Sequence, residues 1–380
     1  MTAYIIRRLL YMIPVVIGVL LVTFCLFTLV GGDISQQIAG KNADAETIAE
    51  IRHEYGFDKP LFAGYKLPEG DEQLWESEKE AFIQNLKAEA IEKSGSEEVS
   101  VTEYDAKKKW LSQRFWKGIK QGKLKQVLSM LTFDSQFLDH FKKAFTFNFG
   151  RALDREKIGE KIARGVGPSL ALTVPMFIGT VVISISFALI VAFLRGTVWD
   201  HTIVILCVAG MSIPYLSFII FGQYYFAYKL DWFPIFYDPS RPMYLSIVLP
   251  ALIGIVAGLG TNLRFYRTIM LDEIRNDYVR TAFAKGLATP KVLFKHVLKN
   301  AMIPIVTNVV LSIPYLILGS LLLERFFGIP GLGYLMIEAI NARDFFVLNA
   351  MTFIMALLIA FFTLVTDICY AWVDPRVKFD

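Results

Sequence analysis

The chain has 380 residues, of which 54% are apolar, a mean hydropathy of +0.47 and a formal charge of +4. That composition excludes an ordinary soluble enzyme. Its three cysteines, Cys25, Cys207 and Cys369, fall far apart and inside apolar runs, so neither a metal spacing nor a disulfide framework is visible.

A membrane helix needs about 20 apolar residues to cross roughly 30 Å of hydrocarbon. Six runs meet that length: 9–30, 169–194, 202–228, 244–262, 301–323 and 350–373. Each must be helical, because lipid offers the backbone no hydrogen-bond partner. The first run follows Arg7-Arg8 but is too long for a signal h-region. No small-x-small cleavage site follows Val30-Gly31-Gly32, so it reads as a retained span. Residues 1–31 are therefore the N-terminal end and first span.

Residues 32–168 are too long for a plain loop and carry 22 basic and 23 acidic residues. Inside them, about 66–145 is charged and helical in pattern. Trp75, Phe82 and Leu86 recur at helical spacing, as do Trp110, Phe115 and Ile119, and then Leu124, Val127, Leu128 and Leu131. Five lysines lie between 107 and 120, but interspersed Glu and Asp make this a solvated face rather than a nucleic-acid patch. Residues 169–373 form the membrane core, and 374–380 a short tail. The core contains a polar block at 263–300 with Arg264, Arg267, Arg275, Arg280, Lys285, Lys291, Lys295 and Lys299.

Outside 32–168, thirteen Lys and Arg fall on one set of short segments and four (Lys229, Arg241, Arg325, Arg343) on the other. With six spans, this bias predicts that the polar block and both termini are cytoplasmic and that 32–168 is external. By these boundaries Asp367 is the ionisable residue within a span, near its cytoplasmic end, where a structural pairing suits it better than a proton relay. Pro14, Pro175, Pro214, Pro250, Pro304 and Pro314 lie within spans as potential kinks. His53, His140, His201 and His296 are scattered, and no Gly-x-x-x-x-Gly-Lys-[Ser/Thr] phosphate loop occurs.

The polar block reads as a short helix, a Gly286 stop and a second helix running into the next span. Its wording from Tyr278 to Leu287, Tyr-Val-Arg-Thr-Ala-Phe-Ala-Lys-Gly-Leu, resembles the cytoplasmic coupling loop of permease subunits of dipeptide and oligopeptide ATP-binding-cassette (ABC) importers. The broader Glu-Ala-Ala-x-x-x-Gly pattern of ABC permeases is kept only at Ala282 and Gly286, since Arg280 and Thr281 replace its Glu and first Ala. Further stretches are similar to that family. They include Glu54 to Leu61, Phe147 to Leu153, Met211-Ser212-Ile213-Pro214, Leu230 to Pro234 and Leu249 to Leu252. Glu324-x-x-Phe327-x-x-Pro330-Gly331-Leu332-Gly333, Ala342-Arg343-Asp344, Asp367, Tyr370 and Asp374-Pro375-Arg376 complete the set. The segment 66–145 has no placeable counterpart.

The resemblance implies an all-α polytopic membrane protein with the type I ABC importer permease fold, six transmembrane helices and a mostly helical extracytoplasmic insert. It implies a non-catalytic subunit of a bacterial inner membrane, with ATP and Mg bound by partner subunits and no cofactor in this chain. The implied partners are a second homologous permease, two ABC ATPases, an extracytoplasmic peptide-binding protein and membrane lipid, with no nucleic acid. The ATPase-coupling residues it implies are Asp277, Tyr278, Val279, Arg280, Thr281, Ala282, Lys285, Gly286 and Leu287, with Leu287 as an apolar plug. The substrate pathway stays unassigned, and dipeptide, oligopeptide, nickel chelate and modified peptide stay open as cargo. A stand-alone secondary transporter or channel is the alternative reading, and a membrane-tethered interaction protein a minor third.

Overall fold

The computed structural model describes residues 2–31, 35–40, 43–65, 72–94, 103–121, 131–132 and 134–373. The tail and the positions Leu124, Val127 and Leu128 lie outside the described residues. The chain divides into two compact units, one of residues 28–146 and one of 1–27 with 147–380.

Helix α1 (Thr2–Gly31) belongs to the other unit through Phe27; in the unit of 28–146, helices α2 (Ser35–Ala39) and α3 (Ala45–Tyr55) come first. Asp44 caps α3 by accepting from the Thr47 N–H at 3.2 Å, and Gly56 ends it in a left-handed turn. Lys59 then donates to Asp139 at 2.7 Å and Asp134 at 3.0 Å, and these two carboxylates raise the lysine's pKa. Helices α4 (Glu72–Ser94) and α5 (Glu103–Lys120) share a small core of Trp75, Leu86, Ala106, Trp110 and Leu111. The two indoles meet edge to face at 5.4 Å, and Trp110 Nε1 donates to Glu78 at 2.8 Å. Strands β1 (Gly64–Tyr65) and β2 (Leu131–Thr132) pair antiparallel, so Leu131 is extended rather than helical. Helix α6 (Gln136–Phe145) is capped by Ser135 and completes the unit.

The second unit is built on α7 (Ile158–Phe193) and α10 (Met243–Ile274). Their close approach needs small residues. A Cβ on Gly254 would lie 2.1 Å from Met176 Sδ, and one on Gly179 would lie 2.6 Å from Ile255 Cδ1. Between them come α8 (Val198–Ser212) and α9 (Tyr215–Gly222), the latter running on as a π-helix to Lys229. The expected span 202–228 is therefore two helices, bent by 91°. The cause is Pro214, which lacks an N–H and forces the preceding Ile213 into extended geometry, ψ 126°.

After α10 come α11 (Asp277–Ala284), α12 (Thr289–Val292, continued as a π-helix through Leu298) and α13 (Lys299–Leu318). The expected run 301–323 is also interrupted. Gly319 takes φ +78°, and a new helix α14 (Leu321–Phe327) begins, followed by α15 (Leu332–Ala342) and α16 (Phe345–Val373). Among the described residues, five helices are long and apolar enough to cross a membrane, or six if the bent pair counts as one span. The helix that carries the expected span from 169 begins earlier, at Ile158, so α7 is longer than the hydrocarbon thickness requires.

Candidate functional site

The polar block folds as a helix laid against the ends of the long helices. Glu273, in the last turn of α10, accepts from Asn276 Nδ2 at 3.0 Å and from the Tyr278 hydroxyl, which fixes the turn into α11. Partial burial, and then this carboxylate, raise the Tyr278 phenol's pKa. Val279 and Ala282, three residues apart and so on one helix face, are 1% and 5% exposed. They pack into a cluster with Ala188, Leu189 and Ala192 of α7, Tyr266 and Met270 of α10, and Val292 and Val297 beyond the turn. The opposite face is open. Asp277, Arg280, Thr281, Phe283, Lys285 and Gly286 are all exposed. Arg280 and Asp277 pair at 3.6 Å in full solvent, a contact of little energetic weight.

Gly286 stops α11 by a Schellman turn. Its φ is +74°, its N–H donates to the Phe283 carbonyl at 2.9 Å, and the Leu287 N–H reaches the Ala282 carbonyl at 3.4 Å. Leu287 consequently folds back onto the buried cluster and is not a plug aimed outward. All nine residues expected in this element thus lie on one turn-helix-turn, with Val279, Ala282 and Leu287 anchoring it and Asp277, Arg280, Thr281, Lys285 and Gly286 facing out. Phe283, 40% exposed, was not among them. The signal that finds it is periodicity: once Val279 and Ala282 define the inner face, position 283 falls outside it.

Buried charge is found elsewhere than expected. Asp367 is only half-buried, whereas Glu324 is 0% and Asp200 5% exposed. Asp200 receives Arg267 Nε at 2.9 Å, Arg267 Nη2 at 2.8 Å and the Gly196 N–H at 3.0 Å, a bidentate pair tying α8 to α10. Glu324 has a different surrounding. Its Oε1 accepts from Ser169 Oγ at 2.8 Å and the Ser320 N–H at 3.1 Å, and its Oε2 from the Tyr334 N–H at 3.0 Å. Ser169 Oγ in turn accepts from the Leu332 N–H at 2.7 Å. Among the described residues no cation lies within ion-pair distance of Glu324; neutral donors, one of them the Tyr334 N–H in the first turn of α15, hold its carboxyl group. Glycines leave room for this carboxyl group, since a Cβ on Gly319 would lie 1.9 Å and one on Gly331 2.3 Å from a Glu324 oxygen.

An apolar cavity of about 770 Å³ opens between the α9 π-helical segment and α10, lined by Ile213, Phe221, Tyr225, Trp232, Leu249 and Ile253 among others. Among the described residues no three of His, Cys, Asp and Glu gather as a metal site.

The described residues thus form a helical membrane core with one broken span and a polar turn-helix seated on its long helices. The chain belongs to the family described as binding-protein-dependent transport system inner membrane components, whose model matches residues 184–379. The companion model for the N-terminal part of such membrane components matches 1–67. The chain is 26% identical to the dipeptide transport system permease protein DppB of Alkalihalophilus pseudofirmus over 405 aligned positions, covering all of both chains. It is 27% identical to the glutathione transport system permease protein GsiC of Shigella flexneri over 380, again covering all of both. A putative peptide permease protein of Brucella suis is 33% identical over 252, or 64% of this chain and 79% of the relative. The protein is thus a multi-pass inner-membrane component of an ABC importer.

Proposed function

We propose that this chain is the permease subunit of a peptide importer, and that α11 with its flanking turns is the element through which cytoplasmic ATPases drive it. The observation that carries this reading is the division of α11 into a buried Val279–Ala282 face, packed on both α7 and α10, and a free face bearing Phe283, Arg280 and Lys285. A helix held this way moves with the long helices, and its open face offers an aromatic anchor ringed by charge, the composition of a docking hot spot. Peptide cargo is supported by the names of the relatives. In this reading a second, homologous permease completes the pathway, two ATPases bind ATP and Mg, and an external binding protein delivers substrate. Both termini and α11 lie on the cytoplasmic side. ATPase closure displaces α11 and the spans rock between inward and outward openings.

The test is co-expression with the second permease and the ATPases. Phe283→Asp should leave the chain in the membrane yet cut ATPase co-purification and peptide uptake at least tenfold. Uptake at the unaltered level would refute the docking role. Uptake by the chain alone, without ATPases, would instead favour a stand-alone transporter.

A further inference from the structure

We propose that Ser169 and Glu324 form the joint through which movement of α11 reaches the helix pair α14–α15 at the opposite end of the molecule. This rests on the coupling role proposed for α11.

Helix α7 runs unbroken from Ile158 to Phe193. Near its C-terminal end, Ala188, Leu189 and Ala192 share a packed cluster with Val279 and Ala282 of α11. Ser169 lies 19 residues before Ala188, about 28 Å away along the axis at 1.5 Å per residue. There it holds the Glu324 carboxylate and the Leu332 N–H at once. One turn on, Thr173 Oγ donates to the Leu316 carbonyl at 2.7 Å, at the last turn of α13. One turn back, a Cβ on Gly165 would lie 2.8 Å from Leu332 Cδ2, so the two helices touch without slack. Helix α7, helical throughout although it carries Pro168 and Pro175, is therefore gripped by α11 at one end and grips α14 and α15 at the other.

The chemistry of the grip decides whether it slips or transmits. Among the described residues Glu324 has no cation to follow it, and its donors are fixed on the backbone of two short helices and on one α7 hydroxyl. Separating α7 from α14–α15 strands a buried carboxylate short of a donor, which is costly. Water cannot compensate at a residue with no exposed surface. The pair α14–α15 must then follow α7 as a body. Ser169 and Glu324 are positioning residues in this account and touch no substrate.

The experiment uses the assembled importer in lipid vesicles: this chain, the second permease, the ATPases and the binding protein. Its native cysteines are replaced, and spin labels are placed at Gly159→Cys on α7 and Asn341→Cys on α15, both exposed. Their separation should stay constant to within about 2 Å between the resting and vanadate-trapped states. A larger change overturns the proposal without any alteration of the joint. Ser169→Ala and Glu324→Gln should each retain ATPase co-purification, while the ratio of binding-protein-stimulated to basal ATP hydrolysis falls several-fold toward one. Assembled variants that keep the ratio of the unaltered protein overturn the proposal and leave the α11 reading standing. If the unaltered assembly itself shows no stimulation, the α11 reading fails and carries this inference with it.

Discussion

Gly286 shows how much one backbone angle can be asked to do. Its φ of +74° requires a left-handed residue, yet a Cβ placed there meets nothing within 4 Å, so the cost of replacement is conformational and not steric. Gly286→Ala should therefore weaken the loop by about 1–2 kcal/mol. Gly286→Asn should do less harm and Gly286→Val more, because Asn tolerates this region and a β-branched residue does not. ATPase co-purification should rank in that order, and a Val variant equal to the glycine protein would break the argument. His140 carries a second prediction, in the unit of 28–146. Burial, with Lys143 beside it, lowers its pKa to about 4, so the folded unit resists the proton that an unfolded imidazole accepts near 6.5. The sign follows: this stability is complete above about pH 6.5 and is lost as pH falls from there toward 4. The ring is only partly buried, which limits the loss to about 1–3 kcal/mol. His140→Gln should flatten the fall in melting temperature across that window, and parallel curves would show that the ring is not responsible.

Among the elements, the α4–α5 pair stands on very little core. Trp75 and Trp110 supply most of its buried volume, so Trp110→Ala should cost about 3–5 kcal/mol and expose 72–120 to protease. Residues 1–27 and 147–380 form a separate compact unit, and its assembly with partners should survive that change; its loss would show that the two units fold together. Much of the membrane unit was legible from apolar run length, since hydrocarbon thickness fixes how long a helix must be. Breaks in direction were harder to read. Leu316 to Leu318 and Leu321 to Leu323 make one continuous apolar run, and hydropathy cannot see that Gly319 turns the chain between them. Placing the end of that run at 323 put Glu324 just outside it and left Asp367 to represent intramembrane charge. Pro214 was noted as a potential kink, but the size of its bend depends on Ile213 and on packing. In α11 the glycine stop was readable from its residue type. Leu287 turning inward was not, because the turn that redirects it is set by backbone bonds.

For the whole molecule, the distribution of Lys and Arg over the short segments predicts its orientation in the membrane, and the prediction has a direct test. In a chain lacking native cysteines, Ser77→Cys in α4 should react with an impermeant thiol reagent from outside the cell, and Asp272→Cys at the end of α10 should not. Both positions are exposed, so burial does not confound the result. The opposite labelling would invert the molecule and move α11 away from any ATPase.

The carboxylate of Glu324 also sets a schedule for biogenesis. Its holders come from both sides of it in the chain: Ser169 long before, Ser320 just before, and Leu332 and Tyr334 after. When Glu324 leaves the ribosome, Ser169 is already outside but the N-terminus of α15 is still in the exit tunnel. At about 5–20 residues per second, the missing donors follow within roughly 0.5–2 s. An ionised side chain left alone in lipid over that interval is strongly disfavoured. The segment from Gly319 to Tyr334 therefore waits at the aqueous boundary or in the insertion channel and enters as one closed hairpin. Slowing translation once Glu324 has emerged but Leu332 is still in the exit tunnel should increase its capture by membrane quality-control proteases, an effect that the same pause placed after Tyr334 has emerged should not have.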